Sequence, residues 1–297
     1  MNTIKQTVQK GYAKINLHLD ITGIMDGGYH SVNNIMQSVS LCDTVTLTER
    51  ADGEFFVVCN ADGVPTGKDN LAVKAAVAFC ESAGVSKGAD IYIDKRIPMA
   101  AGLAGGSADA AAVLRGMNAL CGSPLTLPRL CEIGSRLGAD VPFCIMGGSA
   151  FADGKGDILH PFPAMPDCAL VIACGGEGVS TPMAYGMLDR LHNNFGKDSV
   201  YIPRDTEALR GFCESGDIGG VARSMYNIFE SPILSVRPVA AKLREVMLEC
   251  GAIGAMMSGS GPSVFGIFPD DTSASRAAEA IRAMGVEPHI CRPNAKM

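Results

Sequence analysis

The sequence predicts an α+β fold in two domains, residues 1–157 and 158–297. Two observations predict it. Strand-like and helix-like segments are mixed without the regular period of a doubly wound sheet. Residues 154–166 form a stretch rich in Gly, Pro and Asp that marks the boundary. A chain of 297 residues suits one large domain or two ordinary ones.

The elements follow in order. In GYAKINLHLD (residues 11–20), Ile15, Leu17 and Leu19 alternate with Asn16, His18 and Asp20, the pattern of a strand with one buried face. Asp26-Gly27-Gly28 supplies a turn. Residues 38–48 and 54–59 are β-rich, and residues 89–97 alternate again. Leu71, Ala75, Ala78 and Phe79 share one side of a helix over 71–82. The alanine-rich run 108–120 is a second helix, with Ser107 as its N-cap and Asp109 in its first turn. A third fits 128–137 and closes at Gly138. Pro142 biases Val141 toward extended backbone, which puts Asp140 on a helix-to-strand bend. Beyond the boundary, 169–173 and 263–268 read as strands, and 181–191, 239–250 and 274–284 as helices.

Composition excludes several classes. Hydrophobic residues make up 47% and charged residues 19%, enough for a packed core and far from a disordered composition. The net charge is -6 and no Lys/Arg block occurs, so nucleic acid is not an expected partner. The 11 cysteines have neither C-x-x-C spacing nor a His at metal-ligand spacing, so they read as reduced cytosolic thiols. No apolar run approaches the length of a bilayer span, and residues 1–20 lack the apolar centre of a secretory signal, which gives a cytoplasmic expectation with no membrane partner.

The strongest local signal is the run Pro98, Met99, Ala100, Ala101, Gly102, Leu103, Ala104, Gly105, Gly106, Ser107 and Ala108 between a strand and a helix. Glycines let backbone N–H groups converge on a phosphate, and a helix start adds a positive dipole end. Neither G-x-x-x-x-G-K-[ST] nor G-x-G-x-x-G occurs, which disfavours a Walker-type loop and a dinucleotide oxidoreductase. Taken alone, such a run reads as well as a tight packing turn. Lys14 shares the polar side of its strand with Asn16 and His18, where a lone Lys is usually solvated. Asp140 after a helix end is commonly a turn former. Tyr29-His30 supplies an aromatic face and a hydrogen-bonding ring, and residues 258–263 (SGSGPS) a second small-residue turn that could meet phosphate or simply enter a strand.

The order and spacing of three segments, AKINL at 13–17, the glycine-rich run, and SGSGPS, resemble the motifs of the GHMP kinases. AKINLHLDITG, DGGYH, MQSVSLCDTVTL and LGADVPFCIMGGSA bring the match closest to the isoprenoid-pathway branch, whose acceptor is a cytidyl diphosphate methylerythritol. The resemblance implies a two-domain GHMP kinase fold with the active site in the cleft between the domains. It implies transfer of a phosphoryl group from ATP, accompanied by Mg²⁺ through unassigned ligands, to the 2-hydroxyl of that acceptor. By the same resemblance Asp140 is the catalytic base and Lys14 the lysine that orients it. Residues 98–108 are the ATP loop, with Asn70 and Lys95 on the adenosine side. Tyr29, His30 and Asn16 bind the cytidyl acceptor, and Thr181, Pro182 and Tyr185 supply a second aromatic wall. Ala104 and Ala108 stand where Gly and Ser are frequent in the family. The expected assembly is a monomer or weak homodimer. The rivals are a GHMP kinase with a homoserine- or mevalonate-type acceptor, told apart by the Tyr29-His30 element, and a silent ligand-binding relative, which would lack the base or the lysine.

Overall fold

The computed structural model describes residues 5–192, 195 and 201–294. Among these it has eleven strands and ten helices. Strands β1 (Gln6–Ile24) and β2 (His30–Arg50) form a long antiparallel hairpin. The expected turn joins them: Gly27 and Gly28 have φ of 88° and 79°, and the Met25 N–H donates to the Tyr29 carbonyl at 2.7 Å. Backbone of that hand suits glycine, which has no Cβ to clash.

On one side, β3 (Phe55–Cys59) runs parallel to β4 (Gly88–Asp94), and β4 pairs antiparallel with β2. Helices α1 (Leu71–Ala83), α2 (Gly105–Leu120), α3 (Leu127–Leu137) and α4 (Val141–Met146) come from this half. Strand β5 (Ser149–Asp153) pairs with β2 and with β6 (Ile158–Phe162). Thus β6, beyond the expected boundary at 157, belongs to the first sheet, and the two sheets part between Phe162 and Ala169.

The second sheet is antiparallel throughout, in the order β11 (Pro288–Cys291), β7 (Ala169–Cys174), β10 (Ser263–Phe268), β9 (Gly254–Met257). Between β7 and β9 the chain forms α5 (Thr181–Leu191), α6 (Glu207–Ser215), α7 (Ile218–Ser224), β8 (Tyr226–Asn227), α8 (Glu230–Leu234) and α9 (Pro238–Glu249), and α10 (Asp271–Ala283) precedes β11. Strand β8 returns to the first sheet and pairs parallel with β1 at His18 and Leu19. Alternation along β7 serves two cores. Leu170 and Ile172 join the core of Ile15, Leu17, Ala111 and Leu114, while Val171 and Ala173 pack with Leu243 of α9 and Ile281 of α10.

Alanine dominates α2 because β1 crosses it closely. A Cβ at Gly11 would lie 2.6 Å from the Ala108 carbonyl oxygen. Two local expectations are corrected. Helix α2 starts at Gly105, so its N-cap is Ala104 and not Ser107. Val141 is helical, because Pro142 stands in the first turn of α4, where no intrahelical N–H is required. Strand β1 also differs from the one-face pattern: Lys14, Asn16 and His18 are buried along with Ile15 and Leu17. The second half of the chain covers the polar side of β1.

Candidate active site

The glycine-rich run folds as a loop whose Ala100, Gly102 and Ala104 have φ of 50°, 78° and 58°. Three left-handed residues coil the chain tightly into α2. The first turn of that helix leaves the N–H groups of Gly105, Gly106 and Ser107 without intrahelical partners, the arrangement that receives an anion. The loop is fastened through its backbone. Lys14 N–H donates to Leu103 O at 3.2 Å, Ser263 N–H to Ala101 O at 3.2 Å, and the Ser258 hydroxyl to Gly102 O at 3.1 Å. The side chains of Ala101, Leu103 and Ala108 are buried in the core. These expected ATP-loop residues therefore act as anchors and spacers, not as lining.

The turn at 258–261 presses against this loop. A Cβ at Gly102 would lie 2.1 Å from the Ser258 carbonyl oxygen, and one at Gly259 would lie 2.9 Å from that of Gly102. Asn227 holds the turn by donating from Nδ2 to the carbonyls of Met257 and Gly259, both at 2.8 Å. Ser258 faces inward and is fully buried, while Gly259 and Ser260 line the cleft.

A cleft of about 570 Å³ opens between the loop, β1, α4 and α5. It brings together Lys14, Asn16, Ala100, Gly102, Ala104, Ser107, Asp140, Thr181 and Tyr185. The Lys14 ammonium donates to Asn16 Oδ1 at 2.6 Å, and Asn16 Nδ2 donates to Asn34 Oδ1 at 2.7 Å. Among the described residues no ion pair joins Lys14 to Asp140; Lys14 is held by Asn16, which Asn34 braces in turn. Asp140 is the N-cap of α4, yet its side chain accepts no capping hydrogen bond. Its carboxylate lines the cleft and has no hydrogen-bond or ion-pair partner among the described residues.

A smaller cleft of about 260 Å³ lies on the other side of the loop, lined by Asn70, Lys95, Pro98, Met99, Gly105 and Gly106 among others. Asn70 and Lys95 border it, but their polar ends are engaged. Asn70 caps α1 through Oδ1 to Ala72 N–H at 2.8 Å and donates to Pro65 O at 2.6 Å. Lys95 bridges Asp43 at 2.6 Å and Asp109 at 2.8 Å in a buried triad. Asp109 is thus a buried partner of Lys95, not an exposed acid completing the helix dipole. Burial, more than any neighbour, pushes its pKa up to about 7.

At the far end of the main cleft the walls are aromatic and apolar: Tyr185, Phe229, Val32, Leu19 and Val179. The Tyr185 and Phe229 rings meet edge to face at 5.0 Å. Burial first, with Asp140 and Asp189 nearby, pushes the Tyr185 phenol up to about 12, so it stays uncharged at neutral pH. His30 lies behind this wall, its ring 4.6 Å from that of Tyr185. Tyr29 is 59% exposed, beneath the Lys155 ammonium at 3.9 Å. Neither Tyr29, His30 nor Pro182 lines the cleft itself.

Sequence reasoning missed Asn34, Lys155, Gly156, Ser180 and Phe229; it singled out the turn holding Ser258 but not that residue's inward hydrogen bond to Gly102. Asn34 lies before the run read as β-rich at 38–48, and only pairing of β1 with β2 brings it to Asn16. Lys155 lies in the stretch read as a domain boundary, a lone cation without a pattern.

The description "GHMP kinases N terminal domain" matches residues 70–148, and "GHMP kinases C terminal" matches residues 207–287. The 4-diphosphocytidyl-2-C-methyl-D-erythritol kinase of Alkaliphilus metalliredigens is 43% identical over 97% of this chain and 96% of its own. The protein of the same name from Exiguobacterium sibiricum is 41% identical over 96% of this chain and 97% of its own. A crystal structure of a 4-(cytidine 5'-diphospho)-2C-methyl-D-erythritol kinase, 31% identical, superposes with a TM-score of 0.79 over 97% of this chain and 100% of that one. The homoserine kinase of Cytophaga hutchinsonii, 20% identical with a TM-score of 0.70 over 100% of this chain and 97% of that one, shares the fold. The chain belongs to the GHMP kinases and, among them, to the family of its 4-diphosphocytidyl-2-C-methyl-D-erythritol kinase relatives.

Proposed function

We propose that this kinase transfers the γ-phosphoryl group of ATP to the 2-hydroxyl of 4-diphosphocytidyl-2-C-methyl-D-erythritol, in the methylerythritol phosphate route to isoprenoid precursors. One observation carries the reading: an uncommitted carboxylate, a buried ammonium and an open helix start line one cleft that ends on an aromatic wall. Phosphoryl transfer asks a protein for positioning and charge stabilisation. The N–H groups opening α2 bind the triphosphate, and the smaller cleft beside Pro98 and Met99 takes the adenosine. Asp140 accepts the proton of the acceptor hydroxyl as its oxygen attacks the γ-phosphorus, and ADP departs. Lys14, held by Asn16, stabilises the charge shared between the attacking oxygen and the phosphoryl group.

Among the described residues no three His, Cys, Asp or Glu side chains converge to hold a metal unaided. Mg²⁺ brought with ATP keeps most of its ligands from phosphate and water and needs only one or two protein oxygens. Ser107, on the main cleft, would supply such an oxygen; the ion neutralises phosphate charge when bound. Thr181 and Tyr185 line the cytidyl end of the acceptor site, and Pro182, Tyr29 and His30 flank it as its further substrate-binding residues. No described helix is long and apolar enough to cross a membrane. We place the enzyme in the cytoplasm, acting as a monomer or weak homodimer on small molecules without nucleic acid.

A coupled assay of ADP release tests this. Turnover dependent on the cytidyl acceptor is expected, and Tyr29→Ala and His30→Ala should mainly raise its KM. ADP release that does not depend on the acceptor, or that depends equally on homoserine or mevalonate, overturns the reading.

A further inference from the structure

Lys14 and Asp140 stand on different elements, so their spacing depends on what holds β1 against α4. One side chain spans the two from behind the cleft. Arg115 of α2 donates from Nη2 to the Lys10 carbonyl at 2.6 Å and from Nη1 to the Cys144 carbonyl at 2.9 Å. Lys10 lies four residues before Lys14 on β1, and Cys144 lies four residues after Asp140 on α4. At Lys10, β1 pairs with β2 on one edge, and among the described residues no strand pairs with the other edge there. Cys144 is in the last turn of α4, where carbonyls lack intrahelical partners. Among the described residues no carboxylate pairs with the guanidinium, so these two carbonyls are what it holds.

We propose that Arg115 is a positioning residue that sets the spacing of Asp140 and Lys14, and so the approach of the acceptor oxygen to the γ-phosphorus. The proposal rests on the phosphoryl-transfer reading above. Arg115 does not line the main cleft. It acts through the backbones of β1 and α4. It also belongs to α2, the helix whose first turn receives the triphosphate in that reading. One guanidinium thus joins the three backbones that carry the nucleotide, the lysine and the base. The task suits arginine. Its donors form a rigid planar fork that can serve two elements at once, whereas a lysine ammonium is a compact charge on a flexible stem.

Arg115→Lys separates this role from charge and from simple stability. The variant keeps the positive charge and loses the fork. Calorimetry with a non-hydrolysed ATP analogue counts the folded, binding-competent fraction, and kcat is expressed per such molecule. A misplacement of about 1 Å can cost about a hundredfold in rate. We therefore expect kcat to fall about tenfold to a hundredfold, with the KM values for ATP and acceptor retained, the pattern of an interaction lost in the transition state. A double-variant cycle supplies the second readout. With Asp140→Asn already present, Arg115→Lys should lower the residual rate by a much smaller factor, because the base it positions is gone. Wild-type kcat per competent molecule, a loss carried by KM alone, or the same factor with and without Asp140 overturns the role of Arg115 and leaves the parent reading standing. Wild-type enzyme without acceptor-dependent turnover, or Asp140→Asn at full turnover, overturns the parent reading, and this one with it.

Discussion

Asp140 and Asp109 show how one residue type takes opposite roles by position. Asp140 caps a short helix at the rim of a cleft, and its carboxylate forms no capping bond. Asp140→Asn should lower kcat by about 10²–10⁴-fold, the contribution of a positioned base. The affinity for a non-hydrolysed ATP analogue, measured by calorimetry, should change little; near wild-type turnover would remove Asp140 from this role. Asp109 lies buried against Lys95, with burial raising its pKa to about 7. A carboxyl whose pKa is higher folded than unfolded costs stability as pH rises from its unfolded value, near 4, toward 7. Urea unfolding should therefore show wild type losing stability relative to Asp109→Asn over that window. The difference is limited to about 1.4 kcal/mol per pH unit for one proton. A pH-independent difference would show that Asp109 is ionised throughout.

At the scale of elements, the decisive joint is the loop before α2 and the turn that presses on it. Gly102 combines a φ of 78° with a Cβ position 2.1 Å from the Ser258 carbonyl oxygen. Gly102→Ala must displace backbone on one side or the other. It should cost about 1–3 kcal/mol of stability, read by thermal unfolding, and should raise the KM for ATP. An unchanged KM would mean that the loop's shape does not set nucleotide binding. Much of the loop was legible from composition, because a run of small residues between a strand and a helix start has few physical uses. The start of α2 was not. Ser107 looked like its cap, but Ala104 in left-handed backbone precedes the first turn. Local propensity favours Ser at a cap; here tertiary contacts on Gly102 and Leu103 decide where the coil ends.

At the scale of the molecule, one chain segment ties the two sheets together. Asn227 of β8 pairs with β1 at Leu19 and reaches the turn carbonyls of Met257 and Gly259, while its Oδ1 accepts from Phe229 N–H at 3.0 Å. Asn227→Ala leaves buried partners unsatisfied, at about 1–3 kcal/mol for each such group. A loss of several kcal/mol is expected in urea unfolding, together with weaker ATP binding. A loss below about 0.5 kcal/mol would show that water replaces the side chain without penalty. The same tie explains why Lys14, Asn16 and His18 are buried. Alternation in β1 correctly assigned its polar side, but no pattern within the strand shows that the second half of the chain folds over it.

The sequence by itself determined the strand-and-helix content of most elements, the small-residue coil that precedes α2, and, through three spaced motifs, the family. These are local properties: periodicity, turn chemistry and residue size act over a few neighbours. Only the tertiary structure decided that Asn34 braces Asn16 and hence Lys14, that Lys95 is tied up between two carboxylates, and that Arg115 joins β1 to α4. Each of these joins residues remote in the chain. Such contacts depend on how strands register and sheets pack, and that geometry leaves no periodic trace in either partner's own segment.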